Sequence, residues 1–291
     1  MTNNRTLLIG GSSNIGKVII DSNNSFDFTF YKNKIKNGVY FNILERNLSK
    51  IINLDQYSNI IILSAITKPD DCIENKELSQ NINVDSTKQL IDSVNRKNIH
   101  IIFFSSEFVY DGLKGNYNEK DSTNPVNLYG KQKVEVENYI KSTSSKYTIL
   151  RIAKTYSISK DDDTLLSKWF RMIFKDKDTT INCFNDQIFS PLYINDIPLI
   201  INNIIKNKIY GILNIGGPEI LSRKECLEIF LETFNLTNKI KINETKLSEI
   251  LSKDNWPTNV SFDITASNKL VNLKLTKLSE ACLKMKKTRD V

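Results

Sequence analysis

The run Asn59-Ile-Ile-Ile-Leu-Ser64-Ala65 most constrains what this chain can become. A strand with no alternating polar side must be covered on both faces, as in parallel sheets whose crossover helices pack above and below. Shorter apolar strands are expected at Thr6 to Gly10, Phe26 to Tyr31, Val39 to Ile43, Ile101 to Phe104, Tyr147 to Arg151 and Gly211 to Gly217. Helical stretches alternate with them at Ile15 to Asp21, Glu45 to Leu54 and Asn83 to Val94, so the expected class is α/β with a parallel sheet. A chain of 291 residues buries a large core and holds one large domain or two intimate ones.

Two stretches carry chemistry. Gly10-Gly11-Ser12-Ser13-Asn14-Ile15-Gly16 follows the first strand and opens a helix, a geometry that offers backbone N–H groups and a helix dipole to a phosphate. The same residues also suit a plain tight turn. The second stretch runs from Phe103 to Lys133. Its strand ends in Ser105-Ser106, and the helix beyond the loop carries Tyr129 and Lys133 one turn apart on one face. A hydroxyl, a phenol and an ammonium gathered at a strand end can exchange a proton with a carbonyl/alcohol pair, the ammonium drawing the phenol pKa towards neutrality. On spacing alone, Tyr129 and Lys133 equally describe an exposed helix face.

Their surroundings are more specific. Ser105-Ser106-Glu107-Phe108-Val109-Tyr110-Asp111-Gly112, Gly115-x-Tyr117-x-Glu119-x-Asp121 and Pro125-x-Asn127-x-Tyr129-Gly130-x-x-Lys133 together resemble the extended short-chain dehydrogenase/reductases. Within these the chain looks most like the dTDP-4-dehydrorhamnose reductase family, and it is nearly as similar to the regulatory β subunit of methionine adenosyltransferase. The resemblance implies a Rossmann-type doubly wound parallel sheet over residues 1–155 and a smaller, mixed α/β substrate lobe over 156–291, partly interwoven with it. It makes Ser106, Tyr129 and Lys133 the catalytic triad. The cofactor would lie on Gly10, Ser12, Ser13, Asn14, Ile15 and Gly16, with Ser13 at the family's middle glycine and its hydroxyl available to a phosphate. It would also meet Ser64, Ala65 and Ile66, Asn83 (a prop for the active-site strand), Tyr129 and Lys133. Substrate would meet Ser106, Glu107, Phe108, Tyr129, Gln187 and Ser190.

The implied reaction is hydride transfer to C4 of a nucleotide-linked 4-keto-6-deoxyhexose in deoxysugar and surface-polysaccharide synthesis. Lys32 and Lys34, where an NAD site places an acid, suit the 2′-phosphate of NADPH; NADH is the other candidate, and ordinary surface lysines would look the same. Phe108 in place of a second acid argues against dehydration. His100, the sole histidine, is expected in a loop or edge position and argues against the Cys/His epimerase-reductases. A 4-epimerase with tightly held NAD and a non-catalytic regulatory subunit stay open. Besides Ser13, further positions depart from the family: Lys154 stands at a tryptophan, Phe189 at a glycine, Leu192 at a threonine and Trp256 at an arginine.

Charge and cysteines set the compartment. The net charge of +7 is interspersed with acids, and the one dense basic run, Lys284 to Arg289, is short, so a nucleic-acid partner is not expected. Cys72, Cys183, Cys226 and Cys282 are scattered, as for reduced thiols, with no metal-ligand spacing. No apolar run is long enough for a membrane span and no signal peptide is read, which points to the cytoplasm. The resemblance leaves room for a homodimer.

Overall fold

The computed structural model describes residues 5–22, 25–45, 48–249 and 253–288. Residues 46 and 47 of the expected helix from Glu45 to Leu54, and Arg289 of the basic run, lie outside them. In chain order the first half forms β1 (Arg5–Ile9), α1 (Asn14–Ser22), β2 (Phe26–Phe30), β3 (Val39–Tyr40), α2 (Leu48–Ile51), β4 (Tyr57–Ile62), α3 (Pro69–Glu74), α4 (Lys76–Gln80), α5 (Ser86–Asn95), β5 (His100–Ser106), α6 (Leu128–Thr143) and β6 (Tyr147–Ile152). The second half forms β7 (Thr155–Tyr156), α7 (Leu165–Phe174), β8 (Thr180–Phe184), β9 (Ile188–Phe189), β10 (Leu192–Tyr193), α8 (Ile197–Asn207), β11 (Gly211–Ile215), β12 (Leu221–Ser222), α9 (Arg223–Thr233), β13 (Lys241–Thr245), α10 (Thr265–Val271) and α11 (Leu278–Lys287).

Among the described residues the main sheet has seven strands in the order β3-β2-β1-β4-β5-β6-β11, all parallel. Order reverses between β1 and β4, which opens a crevice at their C-terminal ends. The period-two alternation of strand side chains divides the core. Leu7, Ile9, Ile60, Ile62, Ile101 and Phe103 face one way, onto Leu90 and Val94 of α5 and Val136 and Ile140 of α6. Leu8, Ile61, Ile102 and Phe104 face the other, onto Ile19 of α1 and Ile197, Ile201 and Ile204 of α8. Both faces are covered, which is why these strands read as continuous apolar runs.

The second half shares this sheet: β11 adds to it beside β6, and Val271 of α10 joins the core beneath it. The rest packs into a separate cluster around Trp169, Phe170 and Ile173 of α7, Phe230 of α9 and Met285 of α11. Trp169 is 4% exposed there, so its ring is core and not a free stacking surface. The capping box between Ser222 and Glu225 starts α9.

Two expectations need correction. The third strand ends at Tyr40; Phe41 turns inward to the core and Ile43–Glu45 coils into a 3-10 turn. His100 is the first residue of β5 and buried, with its Nε2 2.8 Å from Thr148 Oγ1. It therefore sits inside the sheet, because its one polar contact is met there.

Candidate active site

The glycine turn leaves β1 with Gly10 at φ +95°, a conformation that favours glycine. A Cβ at Gly16 would lie 2.6 Å from the Gly11 carbonyl oxygen and 2.7 Å from that of Gly10, so only glycine lets α1 start this close to the strand end. Ser13 caps α1: its Oγ accepts from the Gly16 N–H at 3.0 Å and donates to the Gly10 carbonyl at 3.0 Å. Both bonds lie inside the turn. Asn14 and Ile15 occupy the first helical turn, where N–H groups have no intrahelical acceptor. Lys32 and Lys34 are exposed just past β2, next to the packed rings of Tyr31 and Tyr40.

Across the crevice, Ser64, Ala65 and Ile66 follow β4. Asn83 holds this segment at both ends of one residue: its Oδ1 accepts from the Ile66 N–H at 2.8 Å and its Nδ2 donates to the Ile66 carbonyl at 2.9 Å. The same Nδ2 reaches Gln132 Oε1 at 2.7 Å. Asn83 thus props the loop after β4 and ties it to α6, where the active-site strand had been expected as its target.

The triad residues meet where β5 ends. Ser106 is the last residue of β5, and its Oγ accepts from the Phe108 N–H at 3.2 Å. Asn127 caps α6 through the Gly130 N–H at 2.7 Å, which sets Tyr129 in the first turn. The Tyr129 phenol lies near enough to Ser106 for that side chain to lower its pKa. Lys133 Nζ donates to the Phe104 carbonyl at 2.8 Å and lies 5.6 Å from the centre of the Tyr129 ring. Burial pushes the Tyr129 phenol up from its ordinary range, Ser106 opposing and the Cys72 and Glu107 charges adding to the rise. Burial draws the Lys133 ammonium down to about 8, against the pull of Glu137 and Cys72. Burial thus outweighs the lowering expected from the Lys133 charge, and the net shift of Tyr129 is upward.

Behind the triad, Arg151 Nη2 donates to Glu137 Oε2 at 2.7 Å, Ser105 Oγ to Glu137 Oε1 at 2.5 Å, and Arg151 Nη1 to the Tyr110 hydroxyl at 2.7 Å. This buried network fixes β5, β6 and α6 relative to one another.

Beyond Ser106 the site opens towards the second half of the chain. Phe108 meets Tyr129 and Trp256 edge-on, at 6.3 and 5.5 Å between ring centres. Glu107 is buried and accepts from the Lys154 N–H at 3.0 Å; burial raises its pKa, and the Lys154 charge pulls it down. Gln187 is buried with its Oε1 unpartnered. Ser190 is fully buried, its hydroxyl accepting from the Phe262 N–H at 3.0 Å. It braces the backbone there. Arg223 and Cys72 border the site without having been singled out for it, and Lys154, noted only as a departure from the family, borders it too. Cys72 could not have been found from spacing, since its neighbours Asn83 and Tyr129 come from remote segments.

A Rossmann-ordered parallel sheet with Ser, Tyr and Lys converging at the end of its fifth strand is the arrangement of the extended short-chain dehydrogenase/reductases. A family model described as the RmlD substrate binding domain matches residues 4–289, and the chain belongs to that family. It is 25% identical over 203 residues to methionine adenosyltransferase 2 subunit beta of Bos taurus, covering 67% of this chain and 60% of that protein. The chain thus spans less than two thirds of that relative's length. It is 29% identical over 209 residues to the dTDP-4-dehydrorhamnose reductase of Aggregatibacter actinomycetemcomitans, covering 69% of each. The solved dTDP-4-dehydrorhamnose reductase of Bacillus anthracis, in complex with NADP, has the same fold: TM-score 0.83, 20% identity, 98% of this chain and 99% of that one. Among the described residues no helix is long and apolar enough to cross a membrane.

Proposed function

We propose that the protein is an NADPH-dependent reductase of a nucleotide-linked 4-keto hexose, with the 6-deoxy sugars of the dTDP-4-dehydrorhamnose reductases as the reference class. The observation that carries this reading is the meeting of Ser106, Tyr129 and Lys133 at the C-terminal end of β5, on the same edge of the parallel sheet as the turn from Gly10 to Gly16 that follows β1. That turn fits a dinucleotide: a Cβ would fill the space between α1 and the strand end, and the first turn of α1 faces the crevice. When bound, the reduced nicotinamide supplies the hydride that goes to C4. Ser106 would hydrogen-bond the ketone oxygen. Tyr129, kept protonated by burial, would give its proton to the developing alkoxide. Lys133 would hold the nicotinamide ribose and place a positive charge behind the phenol. Lys32 and Lys34 would meet the 2′-phosphate. NADP in the Bacillus anthracis reductase supports the cofactor, and identity to the Aggregatibacter enzyme supports the reaction.

The second reading, a regulatory subunit that binds a partner enzyme, is supported by the 25% identity to the methionine adenosyltransferase subunit. Calorimetric titration with NADPH and with NADH separates the two, followed by loss of reduced-nicotinamide absorbance with 4-keto sugar nucleotides. Micromolar binding and turnover support the reductase. A protein that binds neither cofactor would leave the regulatory reading.

A further inference from the structure

We propose that the pocket bounded by Glu107, Lys154, Gln187, Arg223 and Trp256 receives a carboxylate carried by the sugar itself, so that the preferred substrate is an acidic nucleotide sugar. The inference rests on the reductase reading and narrows its substrate.

Three buried polar atoms here have no partner among the described residues: Gln187 Oε1, Arg223 Nε and Trp256 Nε1. They lie on neighbouring segments. The Arg223 N–H donates to the Gln187 carbonyl at 2.8 Å, and the next residue, Ile188, donates from its N–H to Thr258 at 2.7 Å, just beyond Trp256. Buried donors and acceptors are rarely left unpaired, so these three atoms call for a partner that a ligand or a water would supply.

Charge then selects the ligand. Lys154 and Arg223 are near enough that the guanidinium is the charge that most depresses the Lys154 ammonium, with Lys168 acting in the same direction. Glu107 is the acid that favours the Lys154 charge. Arg223 has no carboxylate within ion-pairing distance among the described residues, and its guanidinium lies 5.0 Å from the centre of the Phe184 ring. Glu107 thus answers Lys154 alone, and the half-buried Arg223 guanidinium has no counter-charge among the described residues, so an anion that reaches both cations is favoured.

Position decides which part of the ligand brings that anion. Glu107 directly follows Ser106, and Phe108 touches both Tyr129 and Trp256, so the pocket adjoins the reacting carbonyl. In a pyranose held by its C4 oxygen at Ser106, substituents on the carbons flanking C4 fall here, whereas the diphosphate on C1 lies across the ring. A planar carboxylate on such a carbon suits a guanidinium edge and an ammonium, with the indole N–H and the Gln187 oxygen left for sugar hydroxyls.

The test is calorimetry of the cofactor-saturated protein with UDP-glucuronate, UDP-glucose and UDP, and with the dTDP counterparts. The glucuronate should bind roughly tenfold or more tightly than the glucose of the same nucleotide. Lys154→Met and Arg223→Met should erase that preference, and Arg223→Lys, which keeps the charge and guards against a folding artefact, should retain part of it. Equal affinity for both sugars in the unaltered protein overturns the inference and leaves the reductase reading standing. So does an equal loss for both sugars and for UDP in the Met variants, which would make the diphosphate the bound anion. Binding of NADPH without any nucleotide sugar overturns the reductase reading, and this inference with it.

Discussion

Gly130 lies against Phe108 so closely that a Cβ at Gly130 would sit 2.1 Å from the Phe108 carbonyl oxygen. The contact brings α6 onto the turn that follows β5. It also sets the spacing between Ser106 and Tyr129, which flank it in sequence. Pro125 closes the other side, 2.8 Å from the same imagined Cβ. Gly130→Ala must push backbone against backbone. It should destabilise the fold by about 1–3 kcal/mol, as overpacking does, and lower turnover more than that loss of stability accounts for. Denaturant unfolding beside steady-state kinetics checks this; a fully active, stable variant would show that α6 is free to shift.

Tyr129→Phe removes the hydroxyl proposed to donate the proton while keeping the buried ring against Phe108. Turnover should fall by about 10²–10⁴, the range for loss of a positioned acid, with NADPH affinity nearly unchanged. Unaltered turnover would mean that another group delivers the proton.

Much of this was legible in the chain itself, and the reason is locality. Ser106, Tyr129 and Lys133 lie on one strand-loop-helix unit, and the apolar runs at Asn59 to Leu63 and at Ile101 to Phe104 announce a sheet covered on both faces. The pocket around Lys154 was not legible. Glu107, Gln187, Arg223 and Trp256 belong to four separate segments, and only the pairing of β9 with β12 and of Ile188 with Asn259 brings three of them together. Ser190 was hard to read for a related reason. A serine inside a motif looks the same whether it faces a ligand or, as here, accepts a backbone N–H in the interior.

Lys32 and Lys34 are exposed beyond β2, with no ion pair to another described residue. If they meet a 2′-phosphate, reversing both charges should weaken NADPH binding by about tenfold or more, the loss expected of charge-assisted contacts to phosphate. NADH binding should change far less. Calorimetry of Lys32→Glu/Lys34→Glu with each cofactor reads the difference; parallel losses would place the 2′-phosphate elsewhere.

His100 offers a clean reporter because it is the sole histidine. Thr148 spends its hydroxyl hydrogen on the Ile209 carbonyl at 2.6 Å, so towards the imidazole it can only accept, and His100 must carry its proton on Nε2. Burial, aided by the nearby Lys146 charge, lowers the His100 pKa from 6.5 to about 4. The ring resonances should therefore stay those of neutral imidazole from pH 8 to about pH 5, whereas a freely exposed histidine would be half-charged near 6.5. The sign for stability follows from proton counting. Below 6.5 the unfolded chain takes up a proton that the native ring refuses, so this residue makes stability fall with decreasing pH from about 6.5 down to about 4. Above 6.5 its contribution is flat. Subtracting the unfolding free energy of His100→Gln, measured over the same range, removes the carboxylates' share. The remaining difference should decline by at most about 1.4 kcal/mol per pH unit within that window. A difference that stays level, or an imidazole that titrates near 6.5, would mean that water reaches this end of β5.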